Sequence, residues 1–166
     1  MSPLDLAIEQ IRKARSHTLR LLETIEPVQW FRQPKEGITH VAWQVGHLAM
    51  AQYRLCLERI RGPRDEDAAL ISEGFLTQFG RDSVPDPDPT HNPSPEEIRL
   101  ALDRVYAQAM QELPKISESD LSCKPLKPHP LFDTKLGALL WCGHHEMAHA
   151  GQIGLLRRLL GHSPLW

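Results

Sequence analysis

Three of the nine histidines fall within six residues, at His144, His145 and His149. His145 and His149 stand four apart, so on a helix they share one face, close enough for both imidazoles to hold one metal ion. The neighbours Leu139, Leu140 and Ile153 turn that face inward, where two unligated imidazoles would be costly. Two imidazoles alone bind a divalent ion weakly, so a third ligand is expected from another part of the chain. His47 is a candidate, although by itself it reads more readily as a satisfied core histidine. His40, seven residues earlier on the same helical face, is its rival, and Cys142, seven before His149, is another.

The letters His145-Glu146-x-x-His149 also match HExxH, in which the glutamate is the general base of a zinc protease. The surroundings speak against that reading. In the extended form of the motif a glycine and a third histidine follow, but here Gly151 comes one place early and Leu155 stands at the third ligand's position. None of the seventeen residues after His149 is acidic, so no downstream carboxylate ligand is available. Glu146 lies about 100° around the helix from His145; an arginine partner, a solvated carboxylate and a base are its three readings.

Further candidates flank the pair. Gln152 lies on the same stripe as His149, placed to orient a ligand or substrate, or to be a buried amide bonded to backbone. Cys142 reads first as a buried thiol, since cysteine is among the most buried residue types. His144 points away from the pair. Arg157 and Arg158 are candidates for binding an anionic substrate or cofactor, though cations in a last helical turn are also favoured by the helix dipole.

These residues need helices to hold them, and the prolines mark where the helices stop. Nine of the fourteen prolines fall in 85–95 and 114–130. Residues 3–26 read as a helix started by Ser2-Pro3 and stopped by Pro27, with Leu4, Ile8, Ile11, Leu19, Leu22 and Ile25 as its apolar stripe. A second helix, capped by Thr39, runs to about Arg61 and ends at Gly62-Pro63. A shorter, irregular helical piece covers 65–79. Ser94-Pro95-Glu96-Glu97 starts a third helix, with a cap, a proline at the first position and acids at the positive dipole end; it ends at Pro114. The fourth is capped by Asp133 or Thr134 and runs to Gly161. No window alternates as a strand does. The expected fold is an all-α four-helix bundle with long crossover connections, in one domain spanning 1–166.

The motifs Trp43-x3-His47-Leu48 and His145-x3-His149-x-Gly151-Gln152-Ile153, continued through Leu156-Arg157-Arg158-Leu159-Leu160-Gly161 to Pro164, resemble the DinB-like (DinB/YfiT) superfamily over essentially the whole chain. That resemblance implies a four-helix bundle with a divalent metal held by His47, His145 and His149. It implies zinc or nickel foremost, with iron or manganese as further choices. Better understood relatives of this kind use a low-molecular-weight thiol at the metal as S-transferases or isomerases, and others look like hydrolases. The implied activity is a thiol-dependent S-transferase or a hydrolase acting on a small-molecule substrate. A homodimer is also implied, with the tail Leu165-Trp166 as a contact. The competing class is a non-catalytic, metal-stabilised helical module that mediates dimer or partner contacts. The crossover 63–95 either covers a site mouth or merely spans the bundle.

Composition narrows the classes further. Nineteen Lys+Arg against twenty-one Asp+Glu leave a net charge of −2, with no electrostatic case for nucleic acid. No run approaches about 18 apolar residues, so no transmembrane helix is expected. The first residues, with an acid in the first turn and no apolar core, do not read as a signal peptide. Cys56, Cys123 and Cys142 are odd in number and widely spaced, which suggests reduced thiols and a cytoplasmic location.

Overall fold

The computed structural model describes residues 1–165, so Trp166 of the expected contact tail lies outside them; Leu165 packs partly buried against the core. Helix α1 (Pro3–Leu22) opens with a capping box between Ser2 and Asp5, which satisfies two of the amide donors that a helix start leaves open. It stops four residues short of the expected end, at a turn that leads into a 3-10 segment, Pro27–Gln29. Helix α2 (Val41–Tyr53) continues without a break through a π-helical turn, Arg54–Glu58, into Arg59–Arg61. Its cap is His40 rather than Thr39: the His40 Nδ1 accepts the Trp43 amide proton at 3.1 Å.

The first crossover contains a 3-10 turn, Asp65–Ala69, and the short helix α3 (Glu73–Gln78). Helix α4 (Pro95–Glu112) starts on the Ser94–Glu97 capping box, as its sequence predicts. The second crossover holds a short helix absent from the expectation, α5 (Glu118–Ser122). Helix α6 (Lys135–Leu159) is capped by Thr134. Among the described residues there is no strand.

The four long helices form the expected bundle. Helix α1 packs mainly on α6, and α2 packs on both α4 and α6. Helices α2 and α6 run antiparallel: Gln44 meets His149 and Gln152, His47 meets His145, and Cys56 meets Cys142. Of the residues in α2 only Trp43 escapes full burial, which makes α2 the central helix and its few polar side chains conspicuous.

One buried ion pair joins all four helices. Arg15 of α1, 2% exposed, meets Glu146 of α6, 3% exposed, with Nε 2.8 Å from Oε1. The same guanidinium donates to the Gln52 side chain of α2 at 2.8 Å and to the Leu102 carbonyl of α4 at 3.2 Å, and lies over the Tyr106 ring. Glu146 is therefore an arginine's partner turned toward α1. At the far end of α2, Arg61 bridges Asp67 of the first crossover and Glu112 of α4, at 2.8 and 2.9 Å. The start of the first crossover is thereby fastened to the end of α2 and to α4.

Candidate metal centre

The antiparallel packing of α2 on α6 brings His47 between His145 and His149. Ring centroids stand 5.2 Å apart for His47–His145, 4.8 Å for His47–His149 and 4.4 Å for His145–His149. One nitrogen from each ring lies within 4.8 Å of the others, a group that can hold a metal ion. His47 is buried and the other two are half-buried.

Two of the rings are oriented by carbonyl oxygens. The His47 Nδ1–H donates to the Phe79 backbone carbonyl at 2.8 Å. The His149 Nδ1–H donates to the Gln44 side-chain carbonyl at 2.5 Å. A carbonyl oxygen only accepts, so in both rings the proton is on Nδ1 and the lone pair on Nε2. Metal-binding histidines are held in this way, by an outer partner that fixes the tautomer and raises the basicity of the ligand. The Gln44 amide is fixed in turn, because its NH2 group donates to the Thr39 hydroxyl at 3.1 Å and to the Gln152 side-chain oxygen at 2.8 Å.

Phe79 reaches His47 because residue 46 is glycine. A Cβ at Gly46 would lie 2.4 Å from the Phe79 ring, so only glycine lets that ring, itself fully buried, sit against the α2 backbone. Trp43 stacks on the other side of His47, centroids 4.7 Å apart and planes 15° from parallel. Its indole N–H is held by the Ser83 hydroxyl at 2.9 Å. The crossover thus supplies two fastenings for the site, a carbonyl at 79 and a hydroxyl at 83.

All three imidazoles are held neutral. Burial is the leading cause throughout; neighbouring imidazoles add to it at His145, pushed down to about 4, and at His149, pushed down to about 3, while the Arg54 charge adds to it at His47, which is lowered as well. Neutral imidazole is the form that binds a metal. An all-imidazole donor set, with two lone pairs directed by their partners, fits a divalent transition ion.

The other candidates lie elsewhere or act indirectly. His40 has both nitrogens engaged, Nδ1 by the Trp43 amide and Nε2 by the Asp86 carbonyl at 2.9 Å. Cys142 is buried against Cys56, sulfurs 3.5 Å apart, and burial beside a second thiol raises its pKa. Gln152 is exposed and bonded to Gln44, so it steadies His149 through that amide. Arg157 is buried, donating to the Thr24 hydroxyl and the Ser163 carbonyl, an arrangement that ties the segment after α6 to α1. His144 and Arg158 are exposed. Sequence reasoning missed Gln44 and Phe79. Gln44 left a trace, a polar residue three places before His47 in a helix with no polar face, whereas a backbone carbonyl leaves none.

The model of the DinB superfamily matches residues 10–153, the span that carries all three histidines. The chain belongs to the DinB superfamily. Among solved structures, a conserved protein from Enterococcus faecalis superposes on it with a TM-score of 0.67, over 98% of this chain and 99% of that one, at 21% identity. At that identity the likeness is one of fold, and it places this DinB bundle in company that spans its full length. No curated protein matches the chain. Among the described residues, no helix is long and apolar enough to cross a membrane.

Proposed function

We propose that His47, His145 and His149 hold one divalent metal ion, and that the protein is a metal-dependent enzyme acting on a small molecule. A thiol-dependent S-transferase is the first reading of its reaction and a hydrolase the second. The observation that carries the proposal is the convergence of three neutral imidazoles from two helices, two of them with Nδ1 engaged by carbonyl oxygens. Three histidines leave a coordination position open, the pattern of catalytic rather than closed structural sites. When bound, such an ion lowers the pKa of a thiol or water and polarises an electrophile. Zinc or nickel suits the donor set best, with iron or manganese next.

The chain's own contribution is positional. Phe79 and Gln44 hold two rings in one tautomer, and Trp43 closes one flank of His47. Arg15, bonded to both Glu146 of α6 and Gln52 of α2, and the apolar core hold α2 against α6, which supports a site that does not have to serve as the bundle's clasp. Elemental analysis of untagged protein, wild type beside His47→Ala, His145→Ala and His149→Ala, is expected to find about one equivalent of metal, lost in each variant with the fold retained. No metal in the wild type, with variants equally stable, refutes the proposal. The expected homodimer is checked by light scattering.

A further inference from the structure

Three arginines that form no ion pair among the described residues belong to the segments that build the three-histidine centre, Arg54 and Arg59 to the α2 run and Arg81 to the first crossover. Arg54 follows His47 by seven residues, two turns along the same face of α2. The π-helical turn then returns Arg59 to line with it: the Arg59 amide bonds to the Arg54 carbonyl, and its guanidinium donates to the same oxygen at 3.4 Å. In an unbroken α-helix a five-residue step would swing Arg59 roughly 140° away. Single π turns of this kind occur frequently at functional sites.

Both crossovers add to this group. The second crossover is tied to the π turn by the Leu126 amide on the Arg59 carbonyl, 2.9 Å, and by Lys127 on Glu58, 2.6 Å. It carries His129, which stacks on Phe132 with centroids 4.3 Å apart and accepts the Leu131 amide proton on Nδ1. The first crossover brings the exposed Arg81, between Phe79, which holds His47, and Ser83, which holds Trp43. These groups feel one another and the site. Burial, with the charges of Arg59 and Arg81, keeps His129 neutral; His129 acts in turn on His145, and Arg54 on His47.

Among the described residues, none of Arg54, Arg59 and Arg81 forms an ion pair, and Glu58, whose charge acts on Arg59, is itself paired with Lys127. The Arg59 Nε is buried with no hydrogen-bond partner, a donor that is costly to leave unmade. A guanidinium in that state fits a carboxylate, which takes two parallel N–H donors.

We infer that Arg54, Arg59 and Arg81, with His129 beside them, form an anion-binding rim that holds a small carboxylate-bearing ligand over the three-histidine centre. The inference rests on the metal-enzyme reading for its purpose, and it adds the class of molecule the centre serves. Arg59 comes from the end of the α2 run and Arg81 from the first crossover, so a dicarboxylate offers one carboxylate to each element.

Calorimetric titration of the zinc-loaded protein with succinate and with mercaptosuccinate tests this, beside the Arg59→Gln and Arg81→Gln variants. Both variants are expected to keep their zinc and their melting temperature, and to lose at least tenfold in affinity for each acid. The affinity of the wild type falls with added salt, because the exposed Arg81 is screened. Mercaptosuccinate binding far above succinate assigns the rim to a thiol cofactor, and equal binding assigns it to a substrate carboxylate. Wild-type affinity in both variants, or binding of neither acid, overturns the inference; Arg81, being exposed, decides if Arg59→Gln misfolds. Titration of metal-free protein separates the two readings. A chain that takes up no zinc yet binds succinate through Arg59 and Arg81 refutes the metal centre and keeps the rim.

Discussion

Glu146→Gln separates a buried structural carboxylate from a catalytic base. The carboxylate meets Arg15, and both side chains are nearly sealed from water. Removing one partner of a buried pair costs about 3–5 kcal/mol, because the other charge is left uncompensated. The lower end applies here, since an amide oxygen still accepts one hydrogen bond and Gln52 and Leu102 already take others from Arg15. For a chain of this length each kcal/mol shifts the melting temperature by about 2–4 °C, so a loss of about 3 kcal/mol lowers it by roughly 6–12 °C. The assay is a thermal melt followed by circular dichroism, with metal content measured on the same sample. Metal content is expected to stay at the wild-type level. The double variant Arg15→Met/Glu146→Leu, which removes both charges, is expected to recover most of the loss, since apolar replacement of a buried pair is often neutral or stabilising. A Glu146→Gln protein that melts with the wild type and is inert toward substrates that the wild type turns over would falsify this account and restore the base role.

Three further outcomes follow from the site. Gln44→Leu removes the acceptor that orients His149 and is expected to weaken cobalt binding by about 10- to 100-fold, the usual cost of losing an outer partner; unchanged affinity in a cobalt titration refutes that role. Gly46→Ala drives a methyl into the Phe79 ring and is expected to cost about 1–3 kcal/mol by overpacking, with weaker metal binding as the Phe79 carbonyl shifts; denaturant melts and metal analysis read both, and a neutral variant counts against the close approach. In metal-free protein, His145 and His149 resist protonation down to about 4 and about 3, whereas in the unfolded chain they take up protons near 6.5. The unfolded state then binds more protons in that window, so stability falls as pH drops from about 6.5 toward 4. His149→Gln is expected to flatten that slope, and an equal slope in both proteins removes the assignment.

The bundle was legible because its signals are local. Ser94-Pro95-Glu96-Glu97 states a helix start in four letters, and an apolar stripe repeats within each long helix. His145 and His149 were legible for the same reason, since a four-residue spacing on a helix is already a distance. His47 needed the family motif around it, because only packing tells which face of the nearly all-buried α2 meets α6. The cap of α2 went to His40 because its ring nitrogen does what a hydroxyl would have done, leaving Thr39 to hold Gln44. The partner of Glu146 lies 131 residues away, and no periodicity within α6 points to α1. Helix α5 is only five residues long, too short to show a period between its prolines.

The fastenings at Phe79 and Gln44 bear on the order in which the protein can be made. His47 finds its carbonyl 32 residues downstream, and His149 finds its amide 105 residues upstream. During synthesis the chain through α4 can leave the ribosome while two of the three imidazoles are still unmade. Loops this long close late, after local helices have formed. A metal ion therefore meets a nearly finished bundle and serves as its last component, so metal uptake should report completion of folding and lag the appearance of helix.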